Sequence, residues 1–119
     1  MKKIFILDDN EELLDIMNRL LGKEYQLLLK HDSQDVADDI FSFQPDLIVL
    51  DHTIGEISSA DIIRELRTRQ SAFSIPVILF SAHLRLSELA ETLGAQGYIE
   101  KPTEITYIRN YIKSLLQHC

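Results

Sequence analysis

The chain is short of several things, and each shortage excludes something. Its single cysteine, Cys119, cannot form an internal disulfide, which fits a reducing compartment. It lacks a basic surplus: 12 Lys and Arg against 19 Asp and Glu leave a net charge of -7. That balance, with a pI near 4.9, argues against direct nucleic-acid binding, which needs a basic face. Long apolar runs are missing too. The opening Met1-Lys2-Lys3 and Ile4-Phe5-Ile6-Leu7 briefly imitate a signal peptide, but the run stops at Asp8-Asp9, too short for an h-region. No stretch approaches the length of a membrane span. The expectation is a cytoplasmic domain with no membrane partner. A glycine-rich loop is absent after the first apolar run, where the chain gives acids that repel phosphate without a metal. His52 and His83 have no Cys or His cluster around them, so a transition-metal reading has little behind it.

What is present points to layers. The run Asp46-Leu47-Ile48-Val49-Leu50-Asp51 follows Pro45 and reads as a strand buried on both faces, hence part of a parallel sheet covered by helices. His52-Thr53-Ile54-Gly55 reads as the loop after it. Ile4-Phe5-Ile6-Leu7 is a first strand, and Asn10 caps a helix to about Leu21 with Gly22 as its stop. The apolar stripe of that helix is wide enough to leave one margin, Ile16 or Leu14, exposed to a partner. Tyr25 to Lys30 is a second strand, and Asp32 or Ser33 caps a short helix carrying Val36, Ala37, Ile40 and Phe41. Ser58-Ser59-Ala60-Asp61 resembles a capping box. Pro76 to Phe80 is a fourth strand ending at Ser81, followed by a helix closing at Gly94. Gly97-Tyr98-Ile99 is a fifth strand ending at Glu100-Lys101-Pro102, and Thr103 opens the last helix. Five βα units imply a doubly wound α/β fold with a five-stranded parallel sheet in the order 2-1-3-4-5, and 119 residues make one domain.

Four of the five strands end in chemically useful residues: Asp8-Asp9, Asp51, Ser81 and Lys101. In open parallel sheets, ligands gather at those carboxyl ends. Three carboxylates there repel one another unless a cation lies among them, and oxygen donors of this kind suit Mg²⁺. A lysine supplies a point charge for a phosphoryl group, and a hydroxyl supplies a hydrogen bond. The set suits phosphoryl transfer onto a carboxylate, where positioning and charge neutralisation do most of the catalysis.

These residues, with Ser81-Ala82, Lys101-Pro102 and the approach Gly94-Ala95-Gln96-Gly97-Tyr98-Ile99, resemble the receiver domain of two-component response regulators (the CheY-like family, flavodoxin-like in fold). The resemblance covers essentially the whole chain. It implies Asp51 as phosphoacceptor, and Mg²⁺ held by Asp9, Asp51 and the backbone carbonyl of Thr53, with Asp8 acting through water. It implies Lys101 on the phosphoryl oxygens, a cis bond before Pro102, and a switch in which Ser81 moves towards the phosphoryl group and Tyr98 turns inward. The switched face would be the fourth helix, fifth strand and fifth helix. Thr53 and His83 stand where water access is tuned, so His83 is expected to influence phosphoryl lifetime. The implied partners are a sensor histidine kinase or histidine phosphotransfer protein, and a downstream protein met through that face. Tyr107, Arg109 and Lys113 on the last helix, with the margin of the first, are candidate contacts.

The chain departs from the family at Gly55, where proline is usual, at Ser59, which replaces a common glycine, and at Thr103, where an aromatic commonly follows. Ser81 to Gly94 is about two residues short relative to many receivers. The expectation is a single receiver over residues 1–119 with no output domain, carrying slow self-dephosphorylation but not a free-standing enzyme. Two other readings differ by one feature each. A pseudoreceiver that binds without phosphorylation loses an acid or the lysine, and none is lost here. A Mg²⁺-dependent phosphohydrolase needs a second acid two residues after its nucleophile, where this chain has Thr53.

Overall fold

The computed structural model describes residues 1–54, 57–70, 73–101 and 103–117, with Thr53, Ile54 and Ile105 described by their backbone alone. Gly55, Pro102 and Cys119, all singled out above, lie outside the described residues. The elements are β1 (Lys3–Leu7), α1 (Glu11–Leu21), β2 (Gln26–Lys30), α2 (Val36–Phe43), β3 (Leu47–Leu50), β4 (Thr53–Ile54), β5 (Ile57–Ser58), α3 (Ser59–Arg69), β6 (Val77–Ser81), α4 (Leu86–Leu93), β7 (Gly97–Glu100) and α5 (Ile105–Gln117). The main sheet runs β2-β1-β3-β6-β7, every pair parallel. Numbered by their own sequence order, its five strands follow the expected 2-1-3-4-5.

Alternation along the strands divides the core into two layers. Ile4, Ile6, Leu47, Val49, Ile78 and Phe80 face α1 and α5, meeting Leu14, Met17, Leu21, Ile108 and Ile112. Phe5, Leu7, Ile48, Leu50, Val77 and Leu79 face α2, α3 and α4, meeting Ile40, Ile62, Ile63, Leu66 and Leu86. Burying each such side chain contributes about 1.5–3 kcal/mol. A few of them offset the several kcal/mol that an interior carboxylate costs. The sheet can therefore carry acids at its rim.

Local chemistry sets most of the helix ends. The Asn10 side chain accepts from the Leu13 N–H and starts α1, while Gly22 caps its far end. Ser58 and Asp61 complete the capping box of α3 in both directions. Gly94 closes α4 at φ +71°, a left-handed conformation in which a Cβ is strained.

Three sequence expectations need correction. Asp32 does not cap α2: its carboxylate accepts from the Gln34 N–H, an Asx turn, and the helix starts one turn later. Its N-cap is Asp35, at φ 56° with no side-chain cap bond. The segment after Asp51 is not simply loop, because Thr53 and Ile54 pair antiparallel with Ser58 and Ile57. Thr103 stands two residues before α5, where the Glu104 carbonyl accepts the first helical N–H groups, those of Tyr107 and Ile108. Of the two candidates for the open margin of α1, Ile16 is exposed and Leu14 is core.

Tyr111 lies across β7, half-buried, and its hydroxyl occupies the space a side chain at position 97 would need. Burial raises its phenol above the ordinary value of 10.0, and burial also raises Tyr25. A phenol with a raised folded-state pKa contributes stability that is complete below pH 10 and lost as pH rises through the folded value. Alkaline titration of tyrosinate absorbance is therefore expected to show a late component that shrinks in Tyr111→Phe. A late component of unchanged size would refute this assignment.

Candidate functional site

Four of the five strand ends at the carboxyl rim contribute different parts of the site. After β1 the chain turns sharply, and the turn is fixed by the Asn10 N–H donating to Asp8 Oδ1 at 2.9 Å. Asp8 is thereby held inward, 1% exposed, while Asp9 faces solvent. Asp51 leaves the end of β3, where its backbone N–H still donates to the Leu7 carbonyl at 3.0 Å, locking the two acidic strand ends in register. Its side chain is 13% exposed. Among the described residues, Asp8, Asp9 and Asp51 each offer a carboxylate oxygen, and these oxygens lie within 4.8 Å of one another.

Lys101 reaches this cluster from the end of β7. Its Nζ donates to Asp8 Oδ2 at 2.6 Å and to Asp51 Oδ2 at 3.5 Å. The ammonium also sits 5.0 Å from the centre of the Phe80 ring, a cation–π contact that sequence reasoning missed. The Lys101 N–H donates to the Ser81 carbonyl, which ties the lysine to the hydroxyl-bearing strand end. Ser81 itself is buried. Burial is the largest influence on Asp8 and raises its pKa above 3.8, and the charge of Asp51 adds to the rise. The Lys101 hydrogen bond, the Asn10 N–H and the lysine charge oppose it.

Three hard oxygen donors with no thiol or imidazole among them match a small divalent cation such as Mg²⁺. Asp8, Asp9 and Asp51 are the side chains able to hold it. The backbone of Thr53, whose carbonyl the resemblance adds to that set, lies in β4 two residues beyond Asp51. Tyr98 is half-buried, pairs with Leu79 across the sheet and packs on the α2–α4 side.

His52 and His83 meet edge to face, with ring centroids 5.0 Å apart and planes at 83°. Burial is the main reason the His52 pKa lies below 6.5, followed by the neighbouring His83; Asp51 pulls the other way. His52 Nδ1 is hydrogen-bonded with Ser59 Oγ at 2.9 Å. Ser59, which stands where a glycine is common, is fully buried. Of the candidate contact residues, Tyr107 is half-exposed, Lys113 is exposed, and Arg109 forms an ion pair with Glu24.

Residues 4–113 match the family model described as response regulator receiver domain. The fold is similar to the N-terminal domain of the nisin resistance regulator NsrR, a lantibiotic response regulator. That match has 25% identity and a TM-score of 0.85 over 98% of each chain. A CheY-like receiver domain protein from Methanospirillum hungatei JF-1 is 20% identical, with a TM-score of 0.85 over 99% of this chain and 95% of that one. The BeF3-activated N-terminal receiver domain of Klebsiella pneumoniae RstA is 22% identical, with a TM-score of 0.83 over 97% and 98%. By the family match over residues 4–113, the chain belongs to the response regulator receiver domains, signalling modules of two-component systems.

Proposed function

We propose that Asp51 accepts a phosphoryl group from a phosphohistidine on a sensor kinase or phosphotransfer protein. The observation that supports this reading most directly is the convergence of Asp8, Asp9 and Asp51 with the Lys101 ammonium at one sheet edge. In the transfer, a carboxylate oxygen of Asp51 attacks phosphorus. The new O–P bond forms as the P–N bond to the donor imidazole breaks, and the electron pair stays on that nitrogen. Lys101, already within 3.5 Å of the Asp51 carboxylate, offsets the charge gathering on the phosphoryl oxygens. The Ser81 hydroxyl would donate to those oxygens once the phosphoryl group is bound. Bound Mg²⁺, held by Asp8, Asp9, Asp51 and the Thr53 carbonyl, would supply further neutralisation and orient the incoming group. The signal would leave through α4, β7 and α5, with Tyr98 adjusting as Ser81 moves.

Intact mass after incubation with acetyl phosphate and Mg²⁺ tests the proposal. The expected result is a gain of one phosphoryl group, absent with chelator and absent in Asp51→Asn. Transfer from a phosphorylated histidine phosphotransfer protein is the second arm, since a receiver can refuse small donors. If both donors leave the wild-type mass unchanged, the chain acts as a pseudoreceiver and the proposal fails.

A further inference from the structure

We propose that Ser59 is a positioning residue that, through His52, sets how long the phosphoryl group stays on Asp51. The inference rests on the phosphoacceptor reading above and adds two positions to which the family resemblance gives no role.

Ser59 is a polar side chain with no solvent exposure, at the first position of α3. It holds His52 twice. Its backbone N–H donates to the His52 carbonyl at 2.7 Å, and its Oγ is bonded to His52 Nδ1 at 2.9 Å. The ring so fixed directly follows Asp51 and meets the edge or face of His83. His83 is fixed in turn, because its Nδ1 accepts the Arg85 N–H at 3.1 Å. With each Nδ1 engaged, neither ring turns without breaking a hydrogen bond.

β3 and β6 are neighbours in the sheet, so the two rings join the segments that leave Asp51 and Ser81. His52 feels the charge of Asp51, and on this proposal the paired rings act as a wall beside the acceptor. Hydrolysis of an aspartyl phosphate needs a water oxygen to attack phosphorus in line. The O–P bond to Asp51 then breaks, its electron pair returns to the carboxylate, and the water gives up a proton as inorganic phosphate leaves. A fixed wall narrows that approach, and a loosened ring admits water. Ser59 Oγ is shut off from solvent, and the His52 ring is the partner that satisfies it.

The test is the rate of phosphoryl loss after acetyl phosphate is removed, followed by intact mass for wild type, Ser59→Ala, His52→Ala and the double variant. Ser59→Ala keeps the backbone bond and deletes only the side-chain one. It is expected to speed loss roughly three- to tenfold, the factor that one side-chain hydrogen bond allows. His52→Ala should speed loss at least as much, and the double variant should match His52→Ala alone. A serine that merely supports α3 would instead add its effect to that of His52→Ala. Unchanged or slower loss in Ser59→Ala, or additive effects in the double variant, overturns the proposal. If Ser59→Ala does not fold, His52→Ala alone decides, and an unchanged rate sinks the idea. A wild-type chain that takes up no phosphoryl group from either donor refutes the acceptor reading and this inference with it. Uptake with unaltered rates refutes the brace alone.

Discussion

Lys101→Met is expected to lower stability at neutral pH by about 1–3 kcal/mol in the presence of chelator, measured by urea unfolding. Removing one partner of a buried ion pair costs about 3–5 kcal/mol. The lysine side chain here is 23% exposed, so solvent screens part of its charge and the cost falls. The other partner has no escape, since Asp8 is buried and its acid form is already favoured by burial. Loss of the lysine deletes two of the three influences that favour the carboxylate, so the Asp8 pKa rises further. An acid with a raised folded-state pKa binds its proton more tightly in the native state. Its penalty is therefore absent below the unfolded value and grows as pH rises through the folded one. The gap between wild type and variant should close as the solution is made acidic. A gap that stays constant with pH would show that the methionine damages packing and leaves the charge balance intact.

Gly97→Ala is expected to destabilise the fold by about 1–3 kcal/mol, the usual cost of overpacking. The reverse sign is the ordinary expectation, because glycine inside a strand is about 0.5–1 kcal/mol worse than alanine. Position 97 differs because the Tyr111 hydroxyl fills the space of the missing Cβ, and the ring carbon that bears it, Cζ, lies 3.1 Å from it. Tyr111 cannot retreat freely, since it packs against the buried layer beneath α5 and leans on Tyr107 at 6.0 Å between centroids. In a Tyr111→Leu background the alanine should become neutral or mildly stabilising. Additive costs in the double variant, read from thermal unfolding, would show that the clash is not the cause.

The fold was legible wherever one physical cause acted alone. Ile4–Leu7, Leu47–Leu50 and Val77–Phe80 are apolar on both faces, a pattern that fits a covered parallel strand. Asn10 and the Ser58–Asp61 pair act on neighbours three residues away, so their roles are written locally. The start of α2 was obscured because two signals competed. Asp32 looks like a cap and is consumed by an Asx turn, whereas Asp35 begins the helix through its backbone conformation with no side-chain bond. The β4–β5 pairing was too short to leave a period in the sequence. At the site, Asp8, Asp9, Asp51, Ser81 and Lys101 could be named because strand ends gather ligands. That the lysine would lie closest to Asp8, and that Ser59 would be buried against His52, depends on packing between distant segments. No local pattern encodes that.

The site also has a consequence for how the molecule comes together. Lys101 meets Asp51 across 50 positions of chain and Asp8 across 93. Closing loops of that length carries an entropic cost that is met only when the intervening strands and helices dock. No fragment of fewer than all five βα units contains Asp8, Asp51 and Lys101 together. A partly assembled chain would hold its acids unneutralised and present no complete acceptor to a donor. On the proposed function, competence to receive a signal is thus a property of the finished topology, and an unfinished molecule would stay silent.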